Sequence, residues 1–397
     1  MTYVGWWLPL AGLGAILLTW VGLLCVQALA CAVVWRKAKL DVRAEVARLA
    51  VVMPAHNEAL VIAESVRALR ALLRAQDTLL VVADNCNDDT ARLARLAGAE
   101  VVERQDERLR GKGHALAHGI AHLASRPPDV LLVVDADCRV EPTGLIRLAA
   151  LAVDRQRPVQ SLYLMRAPKN GGLKVRMAAF AWALRNHVRA LGYAGLGLPC
   201  QLMGSGMAFP CTLVERVSFA TGHIVEDVKL GLSFSALGAS PVFCPTVTTA
   251  SEFPSNDEGA ASQRKRWEHG HLSVLMHDVP ACLVHAVRHR NLGLFAMALD
   301  MSVPPLALLT ALCVVFLLLC AAATWWFASW APLAMALLVC GMLLAAVVVG
   351  WSLVGRTWVR AHELFFVPIY VLRKLPLYVA FLFKRQVVWV KTRREKE

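Results

Sequence analysis

An α/β domain with a mixed, mostly parallel sheet, flanked by transmembrane α-helices, is the fold class this sequence predicts. Three observations predict it. Short apolar runs alternate with helix-periodic segments between residues 48 and 154, the pattern of a doubly wound sheet. Polar clusters follow the first, second and fourth of those runs, where the carboxyl ends of parallel strands place ligand sites. Uncharged stretches long enough to cross a bilayer lie on both sides of the domain.

The elements follow in order. Leu8 to Trp35 is free of charge, enough to span a hydrocarbon core of roughly 30 Å. It lacks the basic n-region of a cleaved leader and is too long for one, so it reads as a retained span. "RLAVVMP" (48–54), "TLLVVAD" (78–84), "AEVVER" (99–104) and "DVLLVVD" (129–135) read as strands. The segments 59–76, 88–98, 113–124 and 141–154 have helical periodicity. Met301–Trp330 and Ala331–Val354 are two further apolar runs. The expected organisation is a transmembrane helix over 1–36, an α/β domain over 45–255, amphipathic interface helices over 256–296, two transmembrane helices over 297–355 and a basic interfacial segment over 356–397.

Hydrophobic residues make up 57% of the chain and the mean hydropathy is +0.51, too apolar for a soluble protein alone. The net charge of +13 raises nucleic acid as a partner, but much of the excess flanks apolar runs, so membrane surface and anionic phosphates account for it better. Arg36, Lys37, Lys39 and Arg43 follow the first run; the positive-inside rule therefore puts the middle domain in the cytosol, beneath the inner (plasma) membrane. From residue 351 onward ten Lys/Arg stand against three Glu, and 362–390 reads as interfacial, lying on the anionic inner leaflet. The eleven cysteines include no CxxC, so no zinc or disulfide framework is expected.

Familiar phosphate loops are missing. "RGKGHA" (110–115) lacks the spacing of a Walker A loop, and no GxGxxG follows the first strand. "DNCNDDTA" (84–91) fails as a calcium loop: its sixth position is Asp89, not Gly, and Arg95 stands where a bidentate Glu is needed. Asn87 or Asp88 there is explained by helix capping, which leaves Asp84 unexplained. His114, His118 and His122 lie four apart on one helical face, a half-exposed stripe with no acidic partner to make it a metal site.

"VVDADCRVEP" (133–142) ends an apolar run on two carboxylates. Asp135 and Asp137 point the same way along an extended backbone. Such a pair is costly without a cation, and a hard Mg²⁺ or Mn²⁺ shared with substrate phosphates supplies one. Glu226 and Asp227 stand inside the apolar "GHIVEDVKLGL" (222–232). They are read either as a helix N-terminal pair or as a general base in a cleft. "QRKRWEHG" (263–270) is either a basic helix on the membrane or a diphosphate site, with Arg264 or Arg266 neutralising charge and Trp267 offering a stacking surface.

Taken together, these residues resemble the inverting, membrane-integrated family 2 glycosyltransferases of GT-A (Rossmann-like) fold, a group that includes cellulose, chitin, hyaluronan and poly-N-acetylglucosamine synthases and ceramide glucosyltransferase. The order Pro54-Ala55-His56-Asn57-Glu58, Asp84, Lys112, Asp135-Ala136-Asp137, Glu226-Asp227 and Gln263-Arg264-Lys265-Arg266-Trp267 carries the resemblance over about 48–270. It implies that Pro54, Asn57, Glu58 and Asp84 grip the nucleoside, with Lys112 near it. Asp135 and Asp137 hold Mg²⁺ or Mn²⁺ on the diphosphate, Asp227 beside Glu226 deprotonates the acceptor, and Gln263, Arg266 and Trp267 cover the diphosphate, with Arg264 assisting. "CQLMGSGMAFP" (200–210) resembles the acceptor-side segment, so Gly204, Ser205 and Gly206 are expected beside the acceptor with Trp267. Val225 stands where the synthases usually have Thr.

The resemblance implies transfer of a sugar from a nucleotide donor, UDP-glucose or UDP-N-acetylglucosamine first, to a growing polysaccharide, because Q-x-x-R-W accompanies processive members. Single-sugar transfer to a membrane lipid or lipid-linked acceptor is the alternative. A catalytically dead polysaccharide-binding or export subunit is a third, but it predicts loss of the base or of DxD, and both are present. Three clear spans are few for a synthase that exports its own polymer; export would need a homo-oligomer, the C-terminal segment or an accessory subunit.

Overall fold

The computed structural model describes residues 4–36, 44–254 and 257–383. The basic residues Lys37, Lys39 and Arg43, and the basic tail from Lys384 onward, lie outside the described residues.

The expected alternation is present. Strands β1 (Leu49–Ala55), β2 (Thr78–Asp84), β3 (Glu100–Arg104) and β4 (Val130–Val133) alternate with helices α2 (Ile62–Arg70), α3 (Thr90–Leu96) and α4 (Lys112–Leu123), after the long helix α1 (Val4–Val34). The β1–β2, β2–β3 and β1–β4 pairs are all parallel. Both sheet faces are buried, which is why these strands read as continuous apolar runs. Along β1, Leu49, Val51 and Met53 enter one core and Ala50 and Val52 the other, the period of two that a pleated strand imposes.

Past β4 the chain adds β5 (Arg139–Val140), α5 (Gly144–Arg155), β6 (Val159–Arg166), α6 (Leu173–Ala183), a π-helical turn at Leu184–Arg189, α7 (Ala190–Gly195), β7 (Met207–Pro210), α8 (Cys211–Val214), α9 (Glu226–Ala236) and β8 (Val242–Glu252). The eight strands run β3-β2-β1-β4-β7-β6-β8-β5. β7 is antiparallel to β4 and β6, whereas β6 and β8 are parallel. The sheet is therefore mixed and mostly parallel, as expected.

Helix α10 (Asp257–Arg288) and α11 (Leu292–Ser302) lead to α12 (Leu306–Phe327), α13 (Ala331–Leu353) and α14 (Val367–Phe383). Four segments are long and apolar enough to cross a membrane: Leu8–Val34, Leu306–Trp326, Ala331–Leu353 and Ala361–Phe381. The first three are the anticipated runs. The fourth covers the start of the segment read from sequence as interfacial; by length and composition it also meets the requirement for a span.

The domain is packed onto these helices rather than tethered to them. Phe180, Leu184 and Val188 share a core with Leu17, Val21, Phe316 and Val339. α7 crosses α1 so closely that a Cβ on Gly192 would lie 2.0 Å from the Gln27 carbonyl oxygen, a contact only glycine permits. Beside it, Gln27 Nε2 donates to Asp300 Oδ1 at 2.6 Å, and Arg189 Nε donates to Gln27 Oε1 at 3.0 Å.

Candidate active site

The site is built at the carboxyl end of β4. There the strand's last bond is Val134 N–H to the Val52 carbonyl, and the chain turns through Asp135-Ala136-Asp137. Asp135 N–H donates to Ser205 Oγ at 3.1 Å, and Ser251 Oγ donates to Asp137 Oδ2 at 2.7 Å. The first residue of α4, Lys112, points into the same turn. Its Nζ lies 2.5 Å from Asp135 Oδ1 and 3.8 Å from Glu226 Oε1, and it donates to the Gly204 carbonyl at 2.8 Å. Glu226 and Asp227 open α9 and line the cleft, so the helix N-terminal position and the cleft position coincide.

Three carboxylates, Asp135, Glu226 and Asp227, thus act on one ammonium, with Asp137 two residues along the same turn. Burial pushes Asp135, Glu226 and Asp227 above the usual carboxylate range, with Lys112 partly opposing it. Burial works against the charged form of Lys112 too, but Asp135 and Glu226 outweigh it and hold the ammonium above the usual lysine range. So acidic a cluster is short of positive charge. Asp135, Asp137 and Cys138 bring one potential ligand atom each within 4.8 Å of one another. The Cys138 thiol is pushed well above its ordinary pKa by burial and stays protonated. The two carboxylates are the hard oxygen donors that suit Mg²⁺ or Mn²⁺, and Lys112 occupies the cationic position beside Asp135.

These groups line a cavity of about 600 Å³, ample for a nucleotide sugar. Of the expected nucleoside residues, Pro54, Glu58 and Asp84 line it. The Asp84 carboxylate is already held by Arg104 of β3 at 2.6 Å. Asn57 is not on its wall: its backbone is left-handed (φ 54°), and its Oδ1 accepts from Asn87 N–H at 2.8 Å, so it ties the first polar loop to the second. In that second loop Asp88 Oδ1 accepts from Thr90 N–H at 3.0 Å, while the N-cap position of α3 falls on Asp89 rather than on Asn87 or Asp88. Gly204 lines the cavity, whereas Ser205 and Gly206 lie beneath it. Ser205 holds the DxD turn, and a Cβ on Gly206 (φ +68°) would lie 2.0 Å from Ser161 Oγ.

From α10, Gln263, Arg266 and Trp267 face the cavity, while Arg264 faces an adjoining one. Gln263 Oε1 is buried there with no hydrogen-bond partner among the described residues, an acceptor left for a ligand. The Trp267 ring packs on Trp182, centroids 4.6 Å apart. Sequence reasoning missed Arg104, Tyr163, Trp182, Arg185, Asn186 and His271. Arg185, on the π-helical turn, lines the cavity and donates to Gln201 Oε1 at 2.9 Å. The one available signal was a charged residue beside a neutral amide, Arg185-Asn186, after the apolar stretch of α6. π-helical turns gather at functional sites.

Residues 47–270 match the model of the family described as "Glycosyltransferase like family 2", more than half of the chain. The chain belongs to this family of glycosyltransferases. This family 2 glycosyltransferase is 24% identical over 247 residues to the "Probable glycosyltransferase YdaM" of Bacillus subtilis (strain 168), a match covering 58% of this chain and 57% of that relative. It is 33% identical over 200 residues to an uncharacterized glycosyltransferase of Mycobacterium bovis, covering 46% of this chain and 84% of that one. The chain therefore spans little more than half the length of the Bacillus relative. Among solved structures it resembles a mannosyltransferase from Pyrobaculum calidifontis in complex with GDP-Man and Mn²⁺, with a TM-score of 0.53, 17% identity, and coverage of 94% of this chain and 100% of that one. That likeness shows the fold: a GT-A-like glycosyltransferase domain with apolar helices at both ends.

Proposed function

We propose that this family 2 glycosyltransferase moves a hexose from a nucleoside-diphosphate sugar to an acceptor hydroxyl at the cytosolic face of the inner membrane, inverting the anomeric carbon. The observation that carries it is the convergence of Asp135, Asp137, Lys112, Asp227, Arg266 and Trp267 on one cavity of about 600 Å³. The resemblance favours UDP-glucose or UDP-N-acetylglucosamine as donor. The solved relative holds GDP-Man, so guanine donors belong in any screen.

Pro54, Glu58 and Asp84 take the nucleoside end of the cavity; Gln263 offers its unpaired acceptor, and Arg266 faces the diphosphate. Asp135 and Asp137 would hold Mg²⁺ or Mn²⁺, which when bound neutralises charge on the diphosphate. Asp227 accepts the proton of the acceptor hydroxyl; its oxygen bonds to the anomeric carbon from the face opposite the diphosphate, which leaves with the bonding pair. Burial raises Asp227's proton affinity, which suits a general base better than an ordinary carboxylate. Gly204, near Asp227, lets the acceptor approach closely, and Trp267 gives a ring a stacking face.

The Q-x-x-R-W signature favours a growing polysaccharide as acceptor, with export through an oligomer or an accessory subunit. A lipid acceptor is favoured by the second cavity described below. Arg36 immediately after α1 supports cytosolic placement of the domain. The test is a donor screen on membranes carrying the protein, with UDP-glucose, UDP-N-acetylglucosamine, UDP-galactose and GDP-mannose and with Mg²⁺ or Mn²⁺. Metal-dependent nucleotide release and a labelled product, both lost in Asp137→Asn, support the reading. Activity unaffected by that substitution and by chelator overturns it.

A further inference from the structure

A second cavity, of about 180 Å³, adjoins the first. The two share Trp182, Arg185, Trp267 and His271 as lining, so these side chains form the partition between them. Beyond the partition the walls turn apolar: Leu24, Phe180, Ala181, Leu309, Val347 and Val371. These come from α1, α6, α12, α13 and α14, four of which carry the segments long and apolar enough to cross a membrane. The cavity therefore lies between the donor site and the helices that meet the bilayer.

Its ion pairs are internal: Lys374 pairs with Glu268, and Arg189 with Asp300 at 2.6 Å. Among the described lining residues Glu268 Oε2 and Tyr370 Oη remain buried without a hydrogen-bond partner, two polar atoms in an otherwise mostly apolar wall. A sugar chain has a hydroxyl on nearly every carbon, and burying it against such walls would strand those groups without partners. A hydrocarbon chain loses nothing there and gains burial of each methylene.

Resting on the donor chemistry proposed above, we infer that the acceptor is a membrane lipid whose single hydrocarbon chain fills this second cavity while its head passes Trp182, Arg185 and Trp267 to present a hydroxyl to Asp227. The hydroxyl proton goes to Asp227, the oxygen takes the anomeric carbon, and the nucleoside diphosphate leaves with the bonding pair. Arg185, held by Gln201, stands at the threshold between chain and head.

The test uses the full chain in nanodiscs and a monoacylglycerol carrying a diazirine midway along its chain. Occupancy of the cavity labels peptides of α6 and the first half of α12. Ala181→Trp, which fills the cavity, is expected to cut that labelling about tenfold, the effect of losing burial of roughly two methylenes. Leu318→Trp, on a side chain 64% exposed on α12, leaves it intact. Thr310→Phe is the second filling variant, and nucleotide binding checks that each variant folds. Labelling confined to outward-facing residues and indifferent to both filling variants overturns the inference, as does displacement of the probe by a water-soluble saccharide product. Nucleotide release from the donor is read separately. Labelling without release counts against the donor reaction alone; release without cavity labelling counts against the lipid chain alone.

Discussion

Lys112 Nζ stands 2.5 Å from Asp135 Oδ1, so the first carboxylate of the DxD turn is neutralised by a cation of the chain itself. A metal ion entering the turn competes with that ammonium for the same oxygen. Lys112→Gln should therefore tighten Mn²⁺ binding to the nucleotide-free enzyme by roughly tenfold, about 1.4 kcal/mol, while slowing turnover. Calorimetric titration of Mn²⁺ checks it; unchanged or weaker binding would show that the two cations do not compete.

Asp227→Asn should lower turnover by about 10²–10⁴-fold, the usual contribution of a positioned base, and leave nucleotide binding nearly intact. The base must be ionised, and burial raises its pKa. The rate therefore rises with pH through an acid limb lying above the ordinary Asp value of about 3.9, with the apparent pKa belonging to the Glu226–Asp227 pair. The same shift costs stability: a group whose folded pKa is raised favours the fold when protonated, and that advantage fades as pH climbs from the unfolded to the folded pKa. The neutral amide escapes this cost, so the variant should melt higher than the parent at neutral pH. A pH–rate profile and a thermal melt read both outcomes.

Gly206→Ala should be among the most damaging single-methyl changes in the domain. The position has φ +68°, and the new Cβ would meet Ser161 Oγ at 2.0 Å and Thr249 Oγ1 at 2.3 Å. Overpacking and left-handed strain together cost more than about 3 kcal/mol. Because neighbouring Ser205 anchors Asp135, activity of any folded fraction should fall too. Expression level and melting temperature measure the first effect, specific activity the second.

Asp300→Ala should destabilise the protein by about 3–5 kcal/mol, because it strands the buried Arg189 guanidinium. Asp300 accepts from Arg189 at 2.6 Å and from Gln27, and Gln201 also donates to it. Combining it with Arg189→Leu should recover much of the loss. A double-mutant cycle of melting temperatures settles the coupling.

Much of the first half of the domain was legible because β1, β2 and β4 are buried on both faces and so carry uninterrupted apolar runs. The three clear membrane runs were legible because they are apolar on every face, although only about a third or less of each is buried inside the protein. No strand after residue 154 was anticipated: β6, β7 and β8 pair out of sequence order, and β7 is a four-residue strand, Met207–Pro210, too brief for a periodic pattern. Asp135, Asp137, Asp227 and Lys112 were readable as a set by order along the chain. That Lys112 sits between Asp135 and Glu226 rather than only near a nucleoside depended on the close approach of α4 to α9, a tertiary fact. Arg185 and Trp182 escaped notice because what gives them meaning, Gln201 and Trp267, lies 16 and 85 positions away. Asn57 was expected to grip the nucleoside, but it is not on the cavity wall and its side chain instead braces two loops.

The bond between Gln27 and Asp300 has a practical outcome. A polar side chain in the last third of the N-terminal apolar helix completes a charge network whose other end reaches, through Gln201, the guanidinium of Arg185. Cut the catalytic domain free of that helix, and Gln27 no longer caps Arg189 and Asp300. An excised soluble fragment would carry an open seam where the membrane anchor was sewn in, so the anchor belongs to the catalytic unit as much as any strand of the sheet does.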